Sequence, residues 1–171
     1  MISYLKGKLV NYISGKAVVD VNGVGYGVWV GEKIKEKIKA EEFLSLFIHT
    51  HVREDALDLY GFTSKEELEL FQLLLTVSGV GPKTGLIIID QGVTAIRQAI
   101  LKGDVGFFMT IPRIGKKNAQ KIIIELKSKL GSLEEFDLKQ GGETQALLAA
   151  LQNMGYSREE AMRAVRQLPN D

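Results

Sequence analysis

Two short stretches of this chain combine glycine and lysine in a pattern suited to holding an anion. They are Gly79-Val80-Gly81-Pro82-Lys83 and Ile114-Gly115-Lys116-Lys117. Glycine lets backbone approach a ligand closely. N–H groups at a helix start lack intrahelical partners and point outward, where they bind anions. Lys83 and Lys117, each two positions after a glycine, add charge. The stretches are copies of one another: Leu75, Val77, Val80, Gly81, Lys83, Gly85, Ile88 and Ile89 match Met109, Ile111, Ile114, Gly115, Lys117, Ala119, Ile122 and Ile123 at an offset of 34 residues. A period of 34 also suits a tetratricopeptide array, but two copies with similarity concentrated at the hairpin do not make a solenoid. The small residue four places after the glycine, Gly85 or Ala119, permits close helix packing. Paired hairpins of this kind can hold two phosphates of a backbone without reading bases. The plainer alternative is two packing turns with solvated lysines, which leaves the matching lysine positions unexplained.

Other chemistry is poorly supported. Gly79 to Thr84 has threonine where a dinucleotide fingerprint needs glycine, and Pro82 before Lys83-Thr84 breaks a Walker A loop. Glu54, Asp55 and Asp58 offer carboxylates for a metal-dependent nuclease, yet neighbouring acids in a turn are commonplace. His49 and His51 share a strand face by period two and are the only histidines, so a packed pair is the simpler reading than a metal site. Trp29, set among strand glycines, reads as barrel packing. With no cysteine there is no disulfide, thiol nucleophile or cysteine-ligated zinc. No catalytic residue, metal site or cofactor is assigned.

The 171 residues carry a net charge of only +1, but unevenly. Residues 1–63 are neutral (8 basic, 8 acidic), residues 64–131 carry +4 (10 against 6) and residues 132–171 carry −3 (4 against 7). From 113 to 129, Arg113, Lys116, Lys117, Lys121, Lys127 and Lys129 face only Glu125. Local field, more than net charge, decides polyanion binding. No apolar run reaches the roughly 18 residues that span a bilayer, and the N-terminus lacks a signal pattern.

The elements positioning these groups change period along the chain. To about Phe62 the pattern is β-like: Ile2–Ile13, Lys16–Asp20, Val24–Gly31 and Leu44–His51 read as strands, with Asn22-Gly23 a tight hairpin turn. Four or five short strands suggest a small closed barrel, for which the oligonucleotide-binding type is one candidate on strand count. Ser64 and Glu67 form a capping box ahead of a helical stripe, Leu68, Phe71, Leu74 and Leu75. Short helices follow, punctuated at Gly92 and Gly103. The expected organisation is α+β and multidomain: a barrel over 1–63, a tandem helix–hairpin–helix domain over 64–131, a flexible linker over 132–142 and a small helical domain over 143–171.

Together the two hairpins, Val52-Arg53-Glu54-Asp55-Ala56, Leu59-Tyr60-Gly61-Phe62 and Asn22-Gly23-Val24-Gly25-Tyr26 resemble the RuvA family of Holliday-junction-binding subunits. The resemblance spans the chain, weakly through the linker. It implies a non-catalytic DNA-binding platform for branch migration in recombination and repair, assembled as a homotetramer or octamer in the bacterial cytoplasm at the nucleoid. The implied partners are four-way junction DNA, the RuvB motor hexamer that hydrolyses ATP, and the RuvC resolvase, with no membrane. It further implies DNA contacts from Gly79, Val80, Gly81, Lys83, Arg113, Ile114, Gly115, Lys116, Lys117, Lys121 and Arg53, and an acidic pin of Glu54 and Asp55 at the crossover. Met154, Gly155 and Tyr156 would form the motor-binding turn of a domain like the ubiquitin-associated fold. Two departures stand out. Arg113 occupies a hairpin position where the family has glycine, and after Leu168-Pro169-Asn170-Asp171 the family continues into another helix, which implies a truncated last domain.

Overall fold

The computed structural model describes residues 1–140 together with Leu151 and Ala161. Five strands form a closed barrel: β1 (Tyr4–Ile13), β2 (Lys16–Val21), β3 (Val24–Trp29), β4 (Phe43–Arg53) and β5 (Ala56–Phe62), with neighbours in the order β1-β2-β3-β5-β4. All pairings are antiparallel except β3 with β5. This is the five-stranded barrel of oligonucleotide-binding type. Alternation builds it: Leu5, Val19, Val28, Leu46 and Leu59 point inward and are nearly inaccessible. Asn22 and Gly23 take φ of 53° and 88°, as a tight hairpin turn requires. At Gly7 the strands close so tightly that a side-chain carbon would lie 2.1 Å from the Asp20 carbonyl.

A short helix, α1 (Glu32–Lys37), follows β3 where the sequence pattern suggested only a strand end at Gly31. Beyond the barrel come α2 (Lys65–Leu75), α3 (Pro82–Ile89), α4 (Val93–Lys102), α5 (Val105–Met109) and α6 (Lys116–Gln140). The Ser64 hydroxyl accepts from the Glu67 N–H at 3.2 Å while the Glu67 carboxylate accepts from the Ser64 N–H at 3.3 Å, so the expected capping box is formed. The buried stripe of α2 is Leu70, Phe71 and Leu74, with Leu68 and Leu75 only half-buried. Gly92 and Gly103, at φ 95° and 72°, bracket α4 as the glycine spacing suggested. Helix α6 runs on to Gln140, across most of the stretch expected to be a linker. Leu133, Glu134, Glu135, Leu138 and Lys139 are good helix formers.

Met1–Lys127 forms one compact unit, so barrel and hairpin helices are joined. Phe71 of α2 makes the joint, its ring lying 4.7 Å from Phe62, 5.5 Å from Tyr60 and 5.4 Å from His49. A second tie runs from Asp90, at the end of α3, whose carboxylate accepts from the Glu32 N–H at 2.9 Å. A side-chain carbon at Gly31 would fall 2.0 Å from that carboxylate, so glycine there admits the tie. Burial pushes the Asp90 carboxyl above its usual range, and the backbone donors of Glu32 and Lys33 partly offset this.

His49 gives the joint a pH dependence. Burial, then the neighbouring His51, lowers its pKa below the ordinary imidazole value of 6.5. The folded state therefore binds fewer protons than the unfolded chain as pH drops below 6.5, and stability falls there. The melting temperature is expected to hold above pH 7 and decline from 6.5 toward 5, with His49→Gln flattening that decline. An unaltered slope in the variant would assign the effect to another group.

Candidate nucleic-acid interface

The two hairpins repeat in three dimensions, bond for bond. Thr76 and Thr110 close the preceding helices through hydroxyls 2.7 Å from the Leu73 and Phe107 carbonyls. The N–H groups of Val77 and Ile111 donate to Leu74 and Phe108 at 3.0 and 3.1 Å. Those of Val80 and Ile114 donate to Val77 and Ile111 at 3.1 and 3.2 Å. The first bonds of the next helices run from Gly85 to Gly81 at 2.8 Å and from Ala119 to Gly115 at 3.0 Å. Burial repeats as well: Val80 and Ile114 are 7% and 6% exposed, Ile88 and Ile122 wholly buried. Gly85 is small because a side-chain carbon there would press on the Phe71 ring at 3.0 Å.

This geometry sorts the expected contact residues into two kinds. Val80 and Ile114 have buried side chains and internally bonded N–H groups, so they anchor the loops. Gly81, Lys83, Gly115, Lys116 and Lys117 are exposed, and Lys121 is half-buried one turn on. Ahead of the first helical bond, the N–H groups of Lys83, Thr84, Lys116, Lys117 and Asn118 have no intrahelical acceptor. A side-chain carbon at Gly81 or Gly115 would meet no atom of the described residues within 4 Å apart from its immediate chain surroundings, and neither glycine has a positive φ. Among the described residues, no packing contact requires glycine at these two places.

Arg113 stands at the repeat position of Gly79, and the backbone follows glycine's example: φ is 71° at Arg113 and 90° at Gly79. The substitution thus leaves the hairpin undistorted and puts a non-glycine residue in the left-handed region. Its exposed side chain borders a cleft of about 390 Å³ that Lys83, Trp29, Lys35 and Asp90 also line. A second cleft, about 320 Å³, lies between His51, Arg53 and Tyr60 of the barrel and Gly81, Pro82, Lys83 and Thr84 at the start of α3. Lys83 belongs to both. Lys116 and Lys117 line neither.

Trp29 is not barrel packing, as its neighbours had suggested. Val28 and Val30 take the inward positions, and period two turns the indole outward. There its N–H donates to Asp58 at 3.0 Å, the same carboxylate oxygen that accepts from Lys16 at 3.0 Å. The other oxygen accepts from Arg53 at 3.2 Å. The indole bond, then the Lys16 bond, hold the Asp58 carboxyl below its usual range. Asp58 is thus committed to cations and indole, and is not gathered with Glu54 and Asp55 into a ligand set. No group of three or more possible metal ligands occurs among the described residues.

Glu54 and Asp55 form the tip of the β4–β5 hairpin, where Arg53 pairs with Ala56. Both are exposed, beside exposed Val52 and Leu57, and neither makes an ion pair among the described residues. His49 and His51 share a strand face as expected, their rings 6.1 Å apart, His49 against Phe71 and His51 against Tyr60. Met154, Gly155 and Tyr156 lie outside the described residues. Among those described, no helix is long and apolar enough to cross a membrane.

A closed five-stranded barrel carrying two equivalent glycine–lysine hairpins defines a tandem helix–hairpin–helix protein of the DNA-backbone-binding class. Comparison narrows the class. Residues 1–61 match the RuvA N terminal domain and residues 71–129 the SAM-like helix-hairpin-helix tandem. The chain is 41% identical to the Holliday junction branch migration complex subunit RuvA of Bdellovibrio bacteriovorus, covering 100% of this chain and 90% of that protein. It is 42% identical to the RuvA subunit of Dehalococcoides mccartyi, with 98% and 89% covered. The chain belongs to the RuvA family.

The left-handed Arg113 has a measurable consequence. Relief of that conformation by glycine, worth about 1–2 kcal/mol, exceeds the added chain entropy of about 0.4–1 kcal/mol. In urea unfolding, Arg113→Gly is expected to be more stable than Arg113→Ala, by up to about 1.6 kcal/mol from those two terms. A less stable glycine variant would contradict the conformation described.

Proposed function

We propose that this chain is a non-enzymatic platform that binds four-way junction DNA during branch migration in recombination and repair. One observation carries the reading: two hairpins with the same bonds and the same burial each present outward N–H groups, an unobstructed glycine and lysine. Contacts of that kind address phosphates, so binding is selective for structure and tolerant of sequence. Arg53 adds a phosphate contact from the barrel side. Lys116, Lys117 and Lys121 supply the second hairpin's charge, and Arg113 extends the positive surface from that hairpin toward Lys83.

Glu54 and Asp55 act in the opposite sense. In a homotetramer, four copies of this tip meet at the centre, where strands exchange. Their charges repel phosphates over about 8–10 Å at ordinary salt, which shapes and separates strands without adding affinity. The work of migration belongs to a RuvB-type ATPase hexamer, engaged through the C-terminal segment that contains Met154, Gly155 and Tyr156. The assembly acts at the nucleoid.

Salt titration of junction binding tests the grip. Each phosphate contact releases counterions, so log K falls with log salt by about 0.7–0.9 per contact. Lys83→Glu and Lys117→Glu are each expected to weaken binding about tenfold or more and to flatten that slope by about one. Unchanged affinity would place the grip elsewhere. Glu54→Gln combined with Asp55→Asn is expected to leave affinity intact or tighter, and a marked loss would contradict the repulsive role.

A further inference from the structure

On the barrel's outer surface, next to the first hairpin, four side chains from four strands meet a fifth from α3. Lys16 and Trp29 are directly paired across β2 and β3. Asp58 is paired with His51, which places it diagonal to Arg53 across β4 and β5. The Asp58 carboxylate, 13% exposed, joins all three partners: the indole N–H and Lys16 on one oxygen, Arg53 on the other. Over the ring stand two ammonium groups, Lys16 at 5.0 Å and Lys83 at 4.9 Å from its centre. At the ring's edge, the Gly15 backbone packs so closely that a side-chain carbon would lie 3.1 Å away.

We propose that Trp29 and Asp58 are positioning residues for the two DNA-facing cations of this cleft, Lys83 and Arg53. The inference deepens the junction-binding reading and rests on it. Asp58 fixes the indole by its edge and the guanidinium by one end. The indole face then holds the Lys83 ammonium. The two cations take different kinds of partner, and the difference matters. A carboxylate neutralises the charge it holds, whereas an aromatic face attracts an ammonium without cancelling its charge. Lys83, beside the hairpin amides, is therefore restrained and still fully charged toward a phosphate. Arg53, 56% exposed, makes one guanidinium bond among the described residues, to Asp58. Restraint before binding lowers the ordering cost when DNA arrives.

The chain's single tryptophan is also the reporter. Without DNA, Lys83→Met and Asp58→Asn are each expected to change the emission of Trp29, since each removes a charge or bond at the ring. Unchanged emission in both would overturn the bracket. With DNA, a double-mutant cycle on four-way junction affinity reads the coupling. Trp29→Leu is expected to weaken binding about three- to tenfold when Lys83 is present and by less than twofold in Lys83→Met. Equal losses in both backgrounds would overturn the positioning role. Asp58→Asn is expected to weaken binding as well. Tighter binding would mean that Asp58 merely neutralises Arg53, and would overturn its part. Melting curves for every variant separate unfolding from mispositioning, and Trp29→Phe, which keeps an aromatic face, is expected to restore part of the affinity. Coupling seen equally on junction and linear duplex would retain this inference while removing the junction reading. Tight junction binding with additive losses would do the reverse.

Discussion

Everything the hairpins can do depends on burying one apolar residue per loop. Val80 and Ile114 are driven into the core between their helices, and each donates its N–H back to the residue three before it. That tether turns the chain so sharply that the following glycine and the first turn of the next helix face outward. The amides left without partners are then a consequence of core packing, and so is the position of the lysine two residues later. On the proposed reading, anion affinity at the hairpins arises from the hydrophobic effect fixing a backbone, with charge added afterward.

The barrel contributes a wall and a second source of charge. Phe71, clamped among Phe62, Tyr60 and His49, holds α2 against β4 and β5. The start of α3 therefore sits opposite Arg53 and His51 across a cleft. On the same wall the two-residue tip Glu54-Asp55 projects without compensating partners among the described residues. Cationic cleft and anionic tip lie within a few residues of each other on one hairpin. A surface of that kind attracts a backbone and also limits where it can lie.

Local signals in the sequence carried much of this. The Asn22-Gly23 turn, the Ser64–Glu67 capping box, the glycine stops around α4 and the 34-residue repeat each depend on a few adjacent residues, and the structure holds all of them. Features made by distant residues were not legible. Trp29 looks like core until β2 and β5 bring Lys16 and Asp58 to it. Asp58 looks like a third acid of a turn until its strand register sets it beside Arg53. Position 113 reads only as a departure from glycine, because composition does not reveal that the hairpin keeps glycine's conformation with arginine in place. The run after Gly131 reads as a linker by its acids and final glycines, and α6 extends along it to Gln140.

The most direct test of the account is a competition mobility-shift titration, four-way junction against linear duplex of equal length, in EDTA and moderate salt. Paired hairpins on an assembled platform predict strong preference for the junction without divalent metal. Equal affinity for the two substrates would contradict the junction claim and leave two hairpins that hold DNA backbone of any form.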